Sequence, residues 1–195
     1  MPTVTRLAVK QRGRVAVELD GAPWRTLPVE VVARAGLSEG RALDRPALRL
    51  LRHELRRAEA LQVAGSALRR QDLSSRGVAA RLRRAAVAPA AVEESLAVLS
   101  RAGLVDDARF ARTRAGTLAE RGYGDAAIRY DLERQGVGPE PIEGAIESLE
   151  PEGERARRLV ASRGPGAKTA RHLASKGFGA EAIETAAGPD FAPDP

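Results

Sequence analysis

The sequence repeats itself, and this repetition limits the folds that the chain can adopt. Aligned with itself at an offset of 50 residues, as from Leu82 to Leu132, the chain matches apolar residue to apolar residue at six positions. The six pairs are Val78 and Ile128, Leu82 and Leu132, Val87 and Val137, Val92 and Ile142, Leu96 and Ile146, and Leu99 and Leu149. A second offset of 41 residues, as from Leu132 to Leu173, adds a shorter third copy.

Each copy is predicted to form three helices, which we call helix A, helix B and helix C. After helix B comes a turn and an apolar residue, and helix C begins near Pro89, Pro139 or Gly179. Because three short helices bury little apolar surface, neighbouring copies must pack together. The sequence therefore predicts a mainly α fold of three tandem three-helix repeats in an elongated, curved array. The predicted limits are 44–107, 108–150 and 151–188 for the repeats and 189–195 for a disordered tail.

The first 43 residues follow a different pattern. Residues 15–19 alternate between apolar and polar side chains, and Asp20-Gly21, a typical two-residue hairpin turn, follows them. We expect a small β-hairpin that pairs residues 4–9 with 15–19, and Trp24 is a candidate start for a third strand. A short helix after Pro28 completes this predicted N-terminal module.

Composition excludes several classes of protein. Only 3% of the residues are aromatic, so the core must be built from Leu, Val, Ile and Ala. There is no cysteine, which excludes a disulfide scaffold and Cys-ligated zinc. No apolar run approaches the roughly 20 residues that span a bilayer, and residues 1–10 lack the apolar core of a signal peptide. We therefore expect a cytoplasmic protein that does not enter membranes.

Charge is distributed unevenly along the chain. The net charge of +6 and the pI of 10.6 favour attraction to nucleic acid or to an acidic protein surface. Ten arginines and three carboxylates lie between Arg49 and Arg84, whereas eight carboxylates and one arginine lie between Asp131 and Glu154. Two interpretations remain open: each segment has a solvated helix face, or the contrast forms a surface that docks in one orientation.

No constellation of catalytic or metal-binding residues is present. His53 and His172 lie among arginines, and neither has a second ligand at a metal-binding spacing. The run Gly164–Thr169 ends in Lys-Thr as a phosphate-binding loop does, but Ala167 stands where that loop has glycine, and the preceding segment is predicted to be helical. The sequence therefore predicts a protein that is not an enzyme and has no cofactor or metal.

The densest local signal is the run from Gly103 to Ala111, which joins the first repeat to the second. Gly103 is expected to end one helix and Asp106 to cap the next. The negative charge of Asp107 is favourable at the positive N-terminal end of that second helix. Phe110 is expected to anchor the contact between the repeats. This structural interpretation is favoured over a direct functional role.

The same run resembles the RecX family of recombinase regulators. The family pattern begins with Gly-Leu, then Ile, Val or Leu, then Asp or Asn, then Asp-x-x, Phe or Tyr, and Ala. An Arg and a Gly follow, and then a helix ending in Glu-Leu-x-x-x-Gly and Ile or Val. The matching residues here are Gly103, Leu104, Asp106, Asp107, Phe110, Arg121, Gly122, Leu132 and Gly136. The resemblance covers about 58–187. Two departures are Thr113 and Arg114, where the family often has an aromatic residue, and Asp131 in place of Glu before Leu132.

The resemblance implies a protein that binds the RecA recombinase filament on DNA, lies in its helical groove, and restrains ATP hydrolysis and strand exchange during homologous recombination and DNA repair. A monomer is expected because a capped repeat array needs no further copy. The candidate partner-binding residues are Arg76, Arg81, Arg83 and Arg84 on helix B of the first repeat, together with Asp106, Asp107 and Arg121. The same arginines could equally be a solvated helix face.

The alternative is a protein that binds DNA directly through an arginine-rich three-helix unit. The acidic second repeat argues against repeated DNA contacts, because its carboxylates repel phosphates.

Overall fold

The computed structural model describes residues 1–187, which form ten α-helices and three β-strands. The predicted tail over 189–195 lies outside the described residues. The strands are β1 (Val4–Lys10), β2 (Arg14–Leu19) and β3 (Ala22–Pro28). The helices are α1 (Val29–Arg34), α2 (Arg45–Leu68), α3 (Ser75–Arg84), α4 (Pro89–Arg101), α5 (Asp107–Glu120), α6 (Asp125–Arg134), α7 (Pro139–Glu147), α8 (Glu152–Arg163), α9 (Ala167–Ser175) and α10 (Ala180–Ala187). The prediction of a mainly α fold preceded by a small β element is confirmed.

The chain divides into two compact units. The first comprises Met1–Arg70 and Ala79–Val98, and the second comprises Gln71–Val78 and the described residues from Leu99 onward. Both α3 and α4 therefore contribute residues to each unit. No helix in residues 1–187 has the length and apolar character needed to cross a lipid bilayer.

The N-terminal sheet is antiparallel, with strand order β1-β2-β3. The predicted hairpin is present, and its register pairs Leu7 with Val17 and Val9 with Val15. Asp20 and Gly21 both have positive φ, as a type I′ turn requires, and they connect β2 to β3. The sheet has a third strand, for which the sequence offers Trp24 as the candidate start, and it begins at Ala22 because this turn returns the chain alongside β2.

The sheet packs against the first long helix. Val15, Val17 and Leu27 lie in one buried cluster with Ala47 and Leu51 of α2. Residues 40–43 cover the start of β1, since the amide of Val4 donates to the carbonyl of Arg41 and the amide of Leu43 donates to that of Pro2. The helix begins where predicted, because the Asp44 carboxylate accepts a hydrogen bond from the Ala47 amide at 2.7 Å.

The second unit contains two more buried clusters. One lies in α5–α7 and is centred on Phe110, Ile128, Leu132 and Ile142. The other lies in α8–α10 and is centred on Leu173, Phe178 and Ile183. Each cluster coincides with one group of three helices in the predicted second and third repeats. The division into three tandem repeats stays a proposal, and this coincidence supports it.

Helices α3, α6 and α9 end in the same way. In each, the amide of an apolar residue donates back to the carbonyl of a buried leucine five positions earlier: Val87 to Leu82, Val137 to Leu132, and Phe178 to Leu173. The residue just before that apolar residue has positive φ, with values of 56° at Ala86, 75° at Gly136 and 81° at Gly177. In α3 this left-handed position is therefore taken by a residue with a side chain.

We expect Ala86→Gly to stabilise the protein by about 0.5–1 kcal/mol. Relief of the left-handed strain, about 1–2 kcal/mol, outweighs the added entropy of glycine in the unfolded chain, about 0.5–1 kcal/mol. Urea denaturation checks this, with Ala85→Gly as the control, because Ala85 is not among the residues with positive φ. A lower midpoint for Ala86→Gly than for the wild type would contradict the prediction.

Candidate partner-binding surface

The run from Gly103 to Phe110 forms a closed turn between α4 and α5. Gly103 has a φ of 66°, and the amide of Leu104 donates to the carbonyl of Leu99 at 2.9 Å, which ends α4. The Arg109 guanidinium donates to the carbonyl of Gly103 at 2.9 Å. The Asp106 carboxylate accepts from the Arg109 amide at 2.9 Å and caps α5.

The hydrogen bond from the Arg109 amide lowers the pKa of the Asp106 carboxyl. Burial opposes this lowering of the pKa, and the positive charge of Arg109 adds to it. Asp106 is exposed, so its carboxylate is charged at neutral pH and serves the cap from the surface. The predicted capping role is present in the structure.

Asp107 has a long-range partner that the sequence did not indicate. Its carboxylate accepts a hydrogen bond at 2.7 Å from the amide of Ser75, the first residue of α3. An equivalent contact follows along the chain, where the Glu152 carboxylate accepts from the amide of Asp125, the first residue of α6, at 2.6 Å. In both cases the acceptor is the carboxylate of the first residue of a helix A, α5 or α8. The donor is the amide of the first residue of the preceding helix B, α3 or α6.

The start of each of the first two B helices, α3 and α6, also contacts the end of the next helix B along the chain, α6 or α9. The Ser74 hydroxyl, just before α3, donates to the carbonyl of Gln135 at the end of α6, at 2.5 Å. The amide of Gly124, just before α6, donates to the carbonyl of Lys176 at the end of α9, at 2.9 Å. These pairs occupy equivalent positions, because Ser74 and Gly124 are 50 residues apart and Gln135 and Lys176 are 41 apart. We call this arrangement the helix B junction.

Glycine is required at the junction because the two helices approach closely. A Cβ atom on Gly136 would lie 1.9 Å from Cδ of Arg76 and 2.8 Å from its Cβ. A Cβ atom on Gly177 would lie 2.6 Å from the backbone nitrogen and the Cβ of Ala127. The glycines that follow α6 and α9 therefore serve both the left-handed turn and the packing of the preceding helix B.

The remaining motif residues have different environments. Leu132 is fully buried and Phe110 is nearly so, both in the core of α5–α7. Gly122 has a φ of 78° and lies beside Leu159 of α8. Leu104 is 56% exposed, so its side chain is not part of the core. An exposed leucine beside the turn is available for contact with a partner.

The two departures from the family pattern contact each other. Arg114 of α5 and Asp131 of α6 form a two-pronged ion pair, with Nη2 of Arg114 at 2.8 Å from Oδ1 of Asp131. This hydrogen bond raises the pKa of Arg114. Arg114 also lines a groove of about 450 Å³ together with Phe110 and Arg121. An ion pair thus joins two of the positions at which the sequence departs from the family pattern.

Arg155 of α8 is a buried cation that sequence reasoning missed. Its side chain is 5% exposed, pairs with the Asp125 carboxylate, and donates to the carbonyls of Tyr123 and Glu150 at 2.9 Å each. Its guanidinium lies 5.9 Å from the ring centre of Phe178. Arg155 therefore ties the α5–α6 turn to the third group of helices.

The candidate arginines of α3 face solvent. Arg76, Arg81, Arg83 and Arg84 are exposed, and none of them forms an ion pair with a carboxylate in residues 1–187. The stem of Arg76 packs over Gly136, whereas the other three lie within four residues at the end of the helix. Their positive charge is therefore available to a partner.

The histidines are not metal ligands in any described cluster. Nε2 of His53 lies 3.2 Å from the Glu94 carboxylate. Burial, followed by the charges of Arg163 and Lys176, lowers the pKa of His172, so that its ring is neutral at pH 7. Within the part of the chain that the structure describes, no group of three or more His, Asp or Glu side chains could hold a metal ion.

Comparison with known proteins finds regulatory proteins of the RecX family among the similar proteins. The model of the second three-helix domain of RecX matches residues 106–146. The regulatory protein RecX of Deinococcus radiodurans is 31% identical over 156 residues, which cover 75% of this chain and 74% of that protein. The regulatory protein RecX of Chromohalobacter salexigens is 35% identical over 128 residues, which cover 61% of this chain and 84% of that protein.

A solved structure shares the fold. The crystal structure of a regulatory protein RecX matches with a TM-score of 0.82 at 22% sequence identity, covering 94% of this chain and 98% of that chain. A match of this extent reaches into the first 43 residues, which lie outside the sequence resemblance. The N-terminal module is thus part of the shared fold.

We expect Gly136→Ala to destabilise the protein by about 2–4 kcal/mol. The added methyl group meets the Arg76 side chain and also strains a left-handed position. Gly103→Ala is the matched control, because Gly103 has a similar φ but no atom within 4 Å of the added Cβ, and it should cost only about 1 kcal/mol. Equal losses in urea denaturation would show that the close approach at Gly136 carries no energetic weight.

Asp106→Asn should reduce stability at neutral pH but not in acid. The pKa of Asp106 is lowered in the folded protein, so its stabilising effect is present above the unfolded pKa of about 3.9 and is lost as pH falls through the folded value. The melting temperature of the variant should therefore lie below that of the wild type at pH 7, and the gap should close near pH 2. A gap that is independent of pH would contradict a charged cap.

Proposed function

Because the chain belongs to the RecX family of regulatory proteins, we propose that it is a non-enzymatic regulator that binds the RecA recombinase filament on DNA. In this proposal it lies in the helical groove of the filament and modulates ATP hydrolysis and strand exchange, mostly by inhibiting them. The family resemblance of the run from Gly103 to Gly136 supports the choice of partner. The cytoplasm, where recombinase and DNA are found, is the proposed location, and a monomer is the proposed state.

The observation that carries the proposal is the unneutralised positive charge of α3. Arg81, Arg83 and Arg84 extend into solvent from one turn of helix without a carboxylate partner among the described residues. Arginine is suited to bidentate contacts with carboxylates and phosphates. A nucleoprotein filament offers both groups, so this end of α3 is the proposed centre of the contact.

The other candidate residues differ in how free they are to act. The carboxylates of Asp106 and Asp107 each accept a hydrogen bond inside the chain, which supports the capping interpretation for both. Arg121 is exposed and lines the groove beside Phe110 and Arg114. Of Asp106, Asp107 and Arg121, we therefore propose Arg121 as a direct contact with the partner.

The first test is the single-stranded-DNA-dependent ATPase activity of RecA while this protein is titrated in. We expect the activity to fall at substoichiometric amounts, because a protein lying in the groove affects several protomers. The combined variant Arg81→Gln, Arg83→Gln and Arg84→Gln should require about tenfold more protein, since three exposed charge contacts contribute roughly 0.5 kcal/mol each.

The matched control removes the same charge elsewhere. Arg163, Lys168 and Arg171 are exposed residues of the third group of helices, and their joint replacement by Gln should leave inhibition nearly unchanged. If the wild type leaves the ATPase unchanged but binds duplex DNA alone, with an affinity that falls steeply with salt, the direct DNA-binding alternative replaces this proposal. If both variants lose inhibition equally, α3 is not the centre of the contact.

A further inference from the structure

The first half of α2 carries a row of arginines that is separate from the candidate residues of α3. Arg45, Arg49, Arg52 and Arg56 follow one another at spacings of four, three and four residues, so they lie on one face of the helix. All four are exposed. We call this row the α2 arginine stripe.

The stripe has no neutralising partner in the described chain. Among residues 1–187, no carboxylate lies within 4 Å of any of the four guanidinium groups, whereas the adjacent Arg57 pairs with Glu94 at 2.9 Å. Glu59 follows one turn after Arg56 and is also exposed, but the two side chains do not form an ion pair. Like charges at this spacing repel each other slightly, so the row is not a source of helix stability.

A groove runs along the stripe within the first compact unit. It has a volume of about 340 Å³ and is lined by Arg49, Arg52 and Arg56 on α2 and by alanine methyl groups at the start of α4. Glu94 supplies the one carboxylate among the described residues that line the groove, and this carboxylate already pairs with Arg57 and His53. The groove therefore has an excess of positive charge and no large apolar side chain.

We propose that the α2 arginine stripe binds the sugar–phosphate backbone of a DNA strand. From Arg45 to Arg56 the helix rises by about 16 Å, which spans roughly five phosphates at about 3.4 Å per nucleotide of one strand. The arginine fork fits phosphate oxygens, and backbone contacts of this kind need no apolar anchor. A protein partner would require an apolar centre, and this groove presents only alanine methyl groups.

This contact adds a DNA site to the proposed regulator, but it can be tested without the recombinase, so the two proposals can fail separately. The assay is fluorescence anisotropy of a labelled oligothymidylate with the full chain, between about 50 and 200 mM salt. Three variants are compared with the wild type. They replace Arg49, Arg52 and Arg56 by Gln, the same three residues by Lys, or Arg163, Lys168 and Arg171 by Gln.

A plot of log affinity against log salt has a negative slope. We expect the Gln variant of the stripe to make this slope less steep by about 2, because each of three lost phosphate contacts on a single strand contributes about 0.7. The Lys variant should keep the slope of the wild type, since it keeps the charges. The control variant should also keep it, because its lost charges lie outside the stripe. Melting curves establish that all three variants are folded.

Three results would overturn the proposal. One is a wild type that does not bind the oligonucleotide at low salt. Another is a Gln variant of the stripe with an unchanged slope. The third is an equal loss of slope in the stripe and control variants, which would mean that only net charge matters. If the Gln variant loses inhibition of RecA while the wild type does not bind DNA alone, the stripe contacts protein instead.

Discussion

The helix B junction is the interaction on which the second compact unit depends. A helix begins with free amides and ends with free carbonyls, and both must be paired when they are buried. Here the end of one helix B accepts a hydrogen bond from the start of the preceding one, through Ser74 and Gln135 and again through Gly124 and Lys176. The same contact therefore serves as cap and as packing surface.

This junction accounts for Gly136 of the family motif and for Gly177 at the equivalent position after α9. A glycine follows α6 and α9 because the chain must turn left-handed there and because another helix lies against the turn. An acidic residue begins α5 and α8 because its carboxylate receives the first amide of the preceding helix B. The motif thus describes largely how groups of helices are joined. The arginines of α3 that are proposed to bind a partner lie outside it, and Arg121 is the motif residue that is also proposed as a contact.

Much of the fold could be predicted from the sequence because its signals are local. Apolar periodicity, the Asp20-Gly21 turn and the cap by Asp44 each depend on neighbouring residues, and the structure contains all three. The third strand was only partly indicated, through Trp24. The three-repeat division and the partner-binding residues stay proposals, because they depend on a partner or on equivalence between distant segments.

Long-range polar contacts could not be predicted. Arg155, Arg157 and Arg158 lie almost side by side in the sequence, yet their side chains are 5%, 50% and 66% exposed. The buried one, Arg155, pairs with Asp125, which lies 30 residues earlier in the chain. The Arg114–Asp131 pair and the bond from Ser75 to Asp107 likewise depend on how distant helices meet.

The direction of these bonds has a consequence for synthesis on the ribosome. Each acceptor follows its donor along the chain, Asp107 by 32 residues and Glu152 by 27. The amide of Ser75 therefore has no carboxylate until α5 has left the exit tunnel, and that of Asp125 has none until α8 has done so. The capping of α3 and of α6 by these carboxylates is therefore completed only after the following group of helices has emerged.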